Sequence, residues 1–135
     1  MKSKVLLIDD DHELIHLYTL KFSLDGTFEF LSADTQERGL EVAEKVHPDL
    51  ILLDLIMPKH DSLAPDLDKE AGYNVLASLK KIPATAMIPV VILTNLDEKM
   101  QGNVERAKEL GAVDYWVKAM HSPAEVLEKV KQLLQ

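Results

Sequence analysis

Three short runs of the chain are wholly apolar and rich in branched residues: Val5-Leu6-Leu7-Ile8, Leu50-Ile51-Leu52-Leu53 and Val90-Val91-Ile92-Leu93. Uninterrupted runs of this length suit strands buried on both faces, as in a parallel sheet. Residues 28–33 and 113–117 carry two weaker strand patterns. Between the strands, apolar positions recur at helical spacing. Leu14, Leu17, Tyr18 and Leu24 mark a face in residues 11–24, and Leu40, Ala43 and Val46 one in 35–46. Val75, Leu76 and Leu79 do so in 72–82, and Val104, Ala107 and Leu110 in 97–110. Val126, Leu127, Val130 and Leu133 mark the last, in 122–134. Punctuation agrees with these limits. Ser122 is a capping hydroxyl before Pro123, with Glu125 at the third helical position. Gly111 stands where a helix end wants a left-handed residue. Pro48, Pro83 and Pro89 fall at connections. Five strands alternating with five helices predict an α/β domain, a parallel sheet covered on both faces with right-handed crossovers.

Residues 59–71, KHDSLAPDLDKEA, break the rhythm. They are polar and acidic, and read as an inserted loop after the third strand, either functional or a tolerated surface insertion. The whole chain, 135 residues, suits one domain. Aromatics are only 5%, which predicts an aliphatic core. A formal charge of −8 argues against binding nucleic acid or an anionic membrane surface. The absence of cysteine excludes disulfides, thiolate catalysis and zinc-thiolate sites. No run approaches a membrane span, and the start leaves no room for a signal peptide, so a cytoplasmic location is expected.

In an open α/β sheet, sites form beyond the carboxyl ends of the strands. Asp9, Asp10 and Asp11 follow the first strand, Asp54 ends the third, Thr94 and Asn95 end the fourth, and Lys118 follows the fifth. Each has a plain structural reading: Asp11 as a helix cap, Asp54 as a loop acid, Thr94 as a packed hydroxyl, Lys118 as a solvated charge. The conjunction points elsewhere. Carboxylates brought together repel unless a cation intervenes, and Asp9, Asp10 and Asp54 suit Mg²⁺, which takes few carboxylates plus substrate oxygens. A lysine and a hydroxyl at the same rim suit an anionic group on a carboxylate, and aspartate can accept a phosphoryl group as an acyl phosphate.

The motifs VLLIDDD, DLILLDLIMP around Asp54, VVILTN around Thr94 and GAVDYWVK ending at Lys118 resemble those of the receiver domain of two-component response regulators, of the single-domain chemotaxis type. The likeness covers the chain apart from residues 59–71. It implies a flavodoxin-like (βα)5 three-layer sandwich with strand order 2-1-3-4-5. It also implies that Asp54 is the phosphoacceptor and that Mg²⁺ is held by Asp9, Asp10, Asp54 and the Ile56 carbonyl. Lys118 would pair with a phosphoryl oxygen, and Thr94 and Tyr115 would be the switch residues. The donor would be a sensor histidine kinase or a histidine phosphotransfer protein. The output would be a protein target meeting the fourth helix, fifth strand and fifth helix, with no nucleic acid and no membrane as partner. The chain would act as a monomer or a phosphorylation-linked homodimer, catalysing only its own phosphoryl transfer and slow dephosphorylation, with no output domain.

Several positions depart from that pattern. Ala119 stands where the family usually has a cis proline, so the Lys118–Ala119 bond is expected to be trans and the following loop to differ. Asn95 is larger than usual; it would narrow phosphodonor access or add a hydrogen-bond donor. Ile56 and Leu96 are apolar where hydrolytic water would pass, which predicts a long-lived phosphoryl state. The loop acids Asp61, Asp66, Asp68 and Glu70, with His60, lack a calcium-loop spacing. His12 and His16 lie i, i+4 on the first helix and read as a surface pair. Trp116 reads as core and a fluorescence reporter. The alternatives are a small aspartyl-phosphate phosphatase using Asp9, and a phosphorylation-independent interaction module. A nucleotide-binding module is disfavoured, because DDDHE replaces a glycine-rich loop.

Overall fold

The computed structural model describes residues 2–56, 69–95 and 102–135. The elements run β1 (Ser3–Ile8), α1 (His12–Asp25), β2 (Phe28–Ala33), α2 (Gln36–Val46), β3 (Leu50–Leu53), α3 (Lys69–Lys81), β4 (Val90–Thr94), α4 (Asn103–Glu109) and β5 (Asp114–Val117). A 3₁₀ turn (Lys118–Met120) and α5 (Pro123–Leu134) complete the chain. The five strands form one parallel sheet of order β2-β1-β3-β4-β5. That is the flavodoxin-like topology expected.

The apolar runs are continuous because alternate residues feed two helical layers. Val5, Leu7, Leu50, Leu52, Val91, Leu93 and Trp116 pack with Tyr18 and Phe22 of α1 and Val126, Leu127 and Val130 of α5. Leu6, Ile8, Ile51, Leu53, Ile92 and Tyr115 pack with Ala43 of α2, Tyr73, Leu76 and Leu79 of α3, and Ala107 of α4. The expectation of an aliphatic core is only partly met: Tyr18, Phe22, Phe28, Tyr73, Tyr115 and Trp116 are all buried. Scarcity of aromatics did not keep them out of the core.

The α1 face also differs from the periodicity. Tyr18 and Phe22 are buried, whereas Leu17, Leu20 and Leu24 are 51%, 51% and 77% exposed. The apolar arc of this helix is wide and leaves only a narrow polar strip at His12, His16, Thr19 and Ser23, so spacing alone could not centre its inner face. The start of α3 differs too. It begins at Lys69 rather than residue 72, because Lys69, Glu70 and Ala71 are good helix formers, the first two despite their charge. Residues 57–68, with His60, Asp61, Asp66 and Asp68, lie outside the described residues, as do Leu96 and the predicted start of the fourth helix. The predicted capping box of Ser122 and Glu125 is present, with Pro123 in the first turn. Gly111 takes φ 108°. Among the described residues no helix is long and apolar enough to cross a membrane.

Candidate functional site

The site lies where the strand order reverses, between β1 and β3. Ile8 pairs with Leu53, so Asp9 and Asp54 emerge side by side. Their backbones are fixed: Asp54 N–H donates to the Ile8 carbonyl and Asp9 N–H to the Ala33 carbonyl, each at 3.0 Å. β4 reaches Thr94, which is paired with Val117, so the next residue of β5's chain, Lys118, arrives at the same rim.

One oxygen from each of Asp9, Asp10 and Asp54 lies within 4.8 Å of the others. Asp54 is the meeting point. Lys118 Nζ donates to its Oδ2 at 2.8 Å. Thr94 Oγ1 donates to its Oδ1 at 2.7 Å, and the Ile56 N–H donates to the same oxygen at 3.2 Å. Lys118 Nζ is also 2.6 Å from Asp9 Oδ2 as an ion pair. Asp9 Oδ2 is otherwise buried, with this ion pair as its contact. Asp9 Oδ1 accepts from the Asp11 N–H at 3.0 Å. Asp11 itself caps α1, accepting from the Leu14 N–H.

The electrostatics follow from this crowding. Burial, then the Asp54 charge, pushes the Asp9 carboxyl up to about 6, against the opposing pull of Lys118. Burial raises Asp10 as well, and Asp54 adds to the rise. Burial alone would lower Lys118, but the Asp54 and Asp9 carboxylates together outweigh it and hold the ammonium above its usual range. One lysine therefore serves three acids. The crowded carboxylates of Asp9, Asp10 and Asp54 are the donor set a hard divalent cation takes. The described residues thus fit Mg²⁺.

Tyr115 is buried on the opposite face of β5 from Trp116, with its side chain in the α2–α3–α4 layer. Trp116 is core, as expected, and its Nε1 donates to Asp114 Oδ2 at 2.9 Å. The Lys118–Ala119 bond is trans, since no cis peptide occurs among the described residues. Lys118 nonetheless reaches Asp54. His12 and His16 are exposed on α1, and His12 Nε2 meets Asp34 Oδ2 at 3.1 Å, where Arg38 also pairs.

Sequence reasoning missed two supports. Gly72 of α3 lies so close to Leu55 that a Cβ there would meet its carbonyl oxygen at 2.2 Å. Only glycine lets α3 cross the turn that carries Asp54. Tyr73 OH donates to the Asn103 backbone carbonyl at 3.2 Å and lies 3.0 Å from Asn103 Oδ1, tying α3 to α4. A glycine among polar helix formers was the only signal for the first; the second had none.

Residues 5–131 match the family model described as the response regulator receiver domain. The chain is 33% identical over 135 residues to the alkaline phosphatase synthesis transcriptional regulatory protein PhoP of Bacillus subtilis, covering all of this chain and 50% of that protein. Among solved structures, it resembles the BeF3-activated N-terminal receiver domain of Klebsiella pneumoniae RstA at 28% identity and TM-score 0.70, covering 96% of this chain and 97% of that one. The chemotaxis response regulator CheY4 of Vibrio cholerae shares the fold at TM-score 0.79 and 20% identity, with 98% of each chain covered. The chain spans about half the length of the curated relatives it matches, so what their names say of transcription is said of longer proteins.

Proposed function

The chain belongs to the response regulator receiver family of two-component systems, and we propose that within it Asp54 accepts a phosphoryl group and so switches a protein-binding face. The observation that carries this is the convergence of Lys118 and Thr94 on opposite oxygens of Asp54, at 2.8 and 2.7 Å, beside Asp9 and Asp10.

The donor in this reading is a phosphohistidine of a sensor kinase or phosphotransfer protein. An Asp54 carboxylate oxygen forms the new bond to phosphorus as the phosphorus–nitrogen bond breaks. The electron pair leaves with the imidazole, which takes a proton. Positioning and charge stabilisation supply most of the rate in such transfers. Lys118 would neutralise a phosphoryl oxygen, and Thr94 would donate to another. Asp9, Asp10, Asp54 and the Ile56 carbonyl would hold Mg²⁺. When bound, that ion supplies the positive charge a dianionic group needs against three carboxylates. The phosphoryl group brings roughly two negative charges. Thr94 and Lys118 would turn towards it, and the change would pass to α4, β5 and α5, where the downstream protein binds.

The phosphatase alternative needs Asp9 as nucleophile, but Lys118 and Thr94 both donate hydrogen bonds to Asp54. The test is mass spectrometry after acetyl phosphate and Mg²⁺. An adduct of roughly 80 Da, one phosphoryl group, is expected on the wild type and absent from Asp54→Ala. An adduct that survives Asp54→Ala would refute the assignment.

A further inference from the structure

The turn that carries Lys118 is held by side chains from outside it. A three-residue 3₁₀ turn, Lys118–Met120, leaves its leading N–H groups without acceptors of its own. One of them finds a partner far away in sequence: the Ala119 N–H donates to Asn95 Oδ1 at 3.1 Å. The far side of the turn is closed by His121, whose N–H donates to the Lys118 carbonyl at 3.3 Å. The His121 ring, as its Nδ1–H form, donates to the Val117 carbonyl at 2.9 Å.

Asn95 is the residue after Thr94, and Ala119 the residue after Lys118. The Thr94–Val117 register brings these two chain ends together. Lys118 is thus fixed before its Cα by strand pairing and after it by the Asn95 amide. Its long side chain has many rotamers, and only a fixed backbone lets Nζ meet Asp54 and Asp9 at once.

We propose that Asn95 is a positioning residue: by accepting the Ala119 N–H it sets the backbone from which Lys118 reaches Asp54. The proposal rests on the reading of Asp54 as phosphoacceptor. It opposes the steric role for Asn95, in which the amide narrows access to the site. Removing a steric obstacle would speed phosphorylation, whereas removing a clamp slows it.

The experiment combines amide hydrogen exchange at Ala119, read by NMR, with phosphorylation by acetyl phosphate and Mg²⁺ followed to saturation. In Asn95→Ala, Ala119 exchange should rise roughly threefold or more. The limiting phosphorylation rate should fall roughly fivefold, with the half-saturating acetyl phosphate concentration changed less than about twofold. Asn95→Asp keeps an acceptor oxygen and should keep Ala119 protected. In an Ala119→Pro background, which lacks the N–H, Asn95→Ala should slow the reaction no further. Unchanged Ala119 exchange in Asn95→Ala, a limiting rate equal to or above wild type, or full additivity with Ala119→Pro would each overturn the proposal. A wild type that never acquires the adduct would refute the Asp54 reading itself. A phosphorylated wild type matched by Asn95→Ala refutes the positioning role alone.

Discussion

Replacing Gly72 by alanine tests the contact that holds the Asp54 turn in place. An alanine Cβ at this position would stand 2.2 Å from the Leu55 carbonyl oxygen, 2.5 Å from its Cα and 2.7 Å from its carbonyl carbon. All three are backbone atoms, so no side-chain rotation relieves the overlap. Ordinary contact requires the two backbones to part by roughly 1 Å. In an exposed helix interior the same substitution stabilises by about 1 kcal/mol, because glycine is the poorer helix former. Overfilling a packed contact costs about 1–3 kcal/mol, and a backbone collision lies at or beyond the upper end. The clash wins, with a net loss of about 2 kcal/mol. For a domain of this size that lowers Tm by about 8 °C. The displaced segment is Leu55–Ile56, next to Asp54, so acetyl phosphate labelling should slow by roughly tenfold even well below Tm. Circular dichroism melts and urea titrations give the stability, and intact-mass time courses the rate. If Gly72→Ala melts at or above wild type, α3 does not press on the Asp54 turn and the reasoning fails.

Three further outcomes follow from the same geometry. Mg²⁺ at about ten times its dissociation constant should stabilise the wild type by about 1.4 kcal/mol, or roughly 5 °C. Asp9→Asn should lose most of that gain, and a wild-type Tm indifferent to Mg²⁺ would count against the acidic cluster as its site. The Lys131 ammonium, bonded to Asp25 at 2.6 Å, holds that carboxyl down at about 2 with help from Thr27. A depressed carboxyl stabilises the fold above its unfolded value of about 3.9 and loses that contribution as pH falls through about 2. Asp25→Asn should therefore melt lower than wild type at pH 7 and level with it near pH 2; a gap that persists in acid would remove the pair as its cause. Ile56 is half-buried beside Asp54 and cannot orient water. Ile56→Asn should shorten the phosphoryl lifetime severalfold, and a decay already fast in wild type and unmoved by the substitution would end that reading.

Strand placement was legible because burial on both faces leaves continuous apolar runs, and the rim residues were legible because they directly follow those runs. The α1 face was not, because Leu14, Leu17, Tyr18, Leu20, Phe22 and Leu24 spread over an arc too wide to show which part faces inward. Asn95 shows a different limit. Its size was visible, but which of its atoms would be used depended on a backbone N–H 24 positions away. Gly72 was silent for a similar reason: a close approach between backbones leaves no side-chain pattern, only a missing one. Residues 59–71 illustrate the converse, since polarity alone extended the predicted loop three residues into α3.

The site divides into two halves that are held by different means. Asp9 and Asp54 are fixed by backbone hydrogen bonds to neighbouring strands, on runs in which Leu6, Ile8, Ile51 and Leu53 are wholly buried. Such strands keep like charges together against repulsion, because separating them would open the core. Thr94 and Lys118 are tied to Asp54 by side-chain bonds alone. Added negative charge at Asp54 cannot move the first half without breaking the sheet, but it can re-aim the second by rotating two side chains. That second half stands on β4 and β5, the strands that precede α4 and α5 in the chain. The β1 side has no equivalent freedom, since Asp9 is pinned from both its N–H and its Oδ1. Under the proposed function, charge arriving at Asp54 would therefore be read out towards the β4–β5 edge of the sheet, through the two side chains, Thr94 and Lys118, that bond its carboxylate.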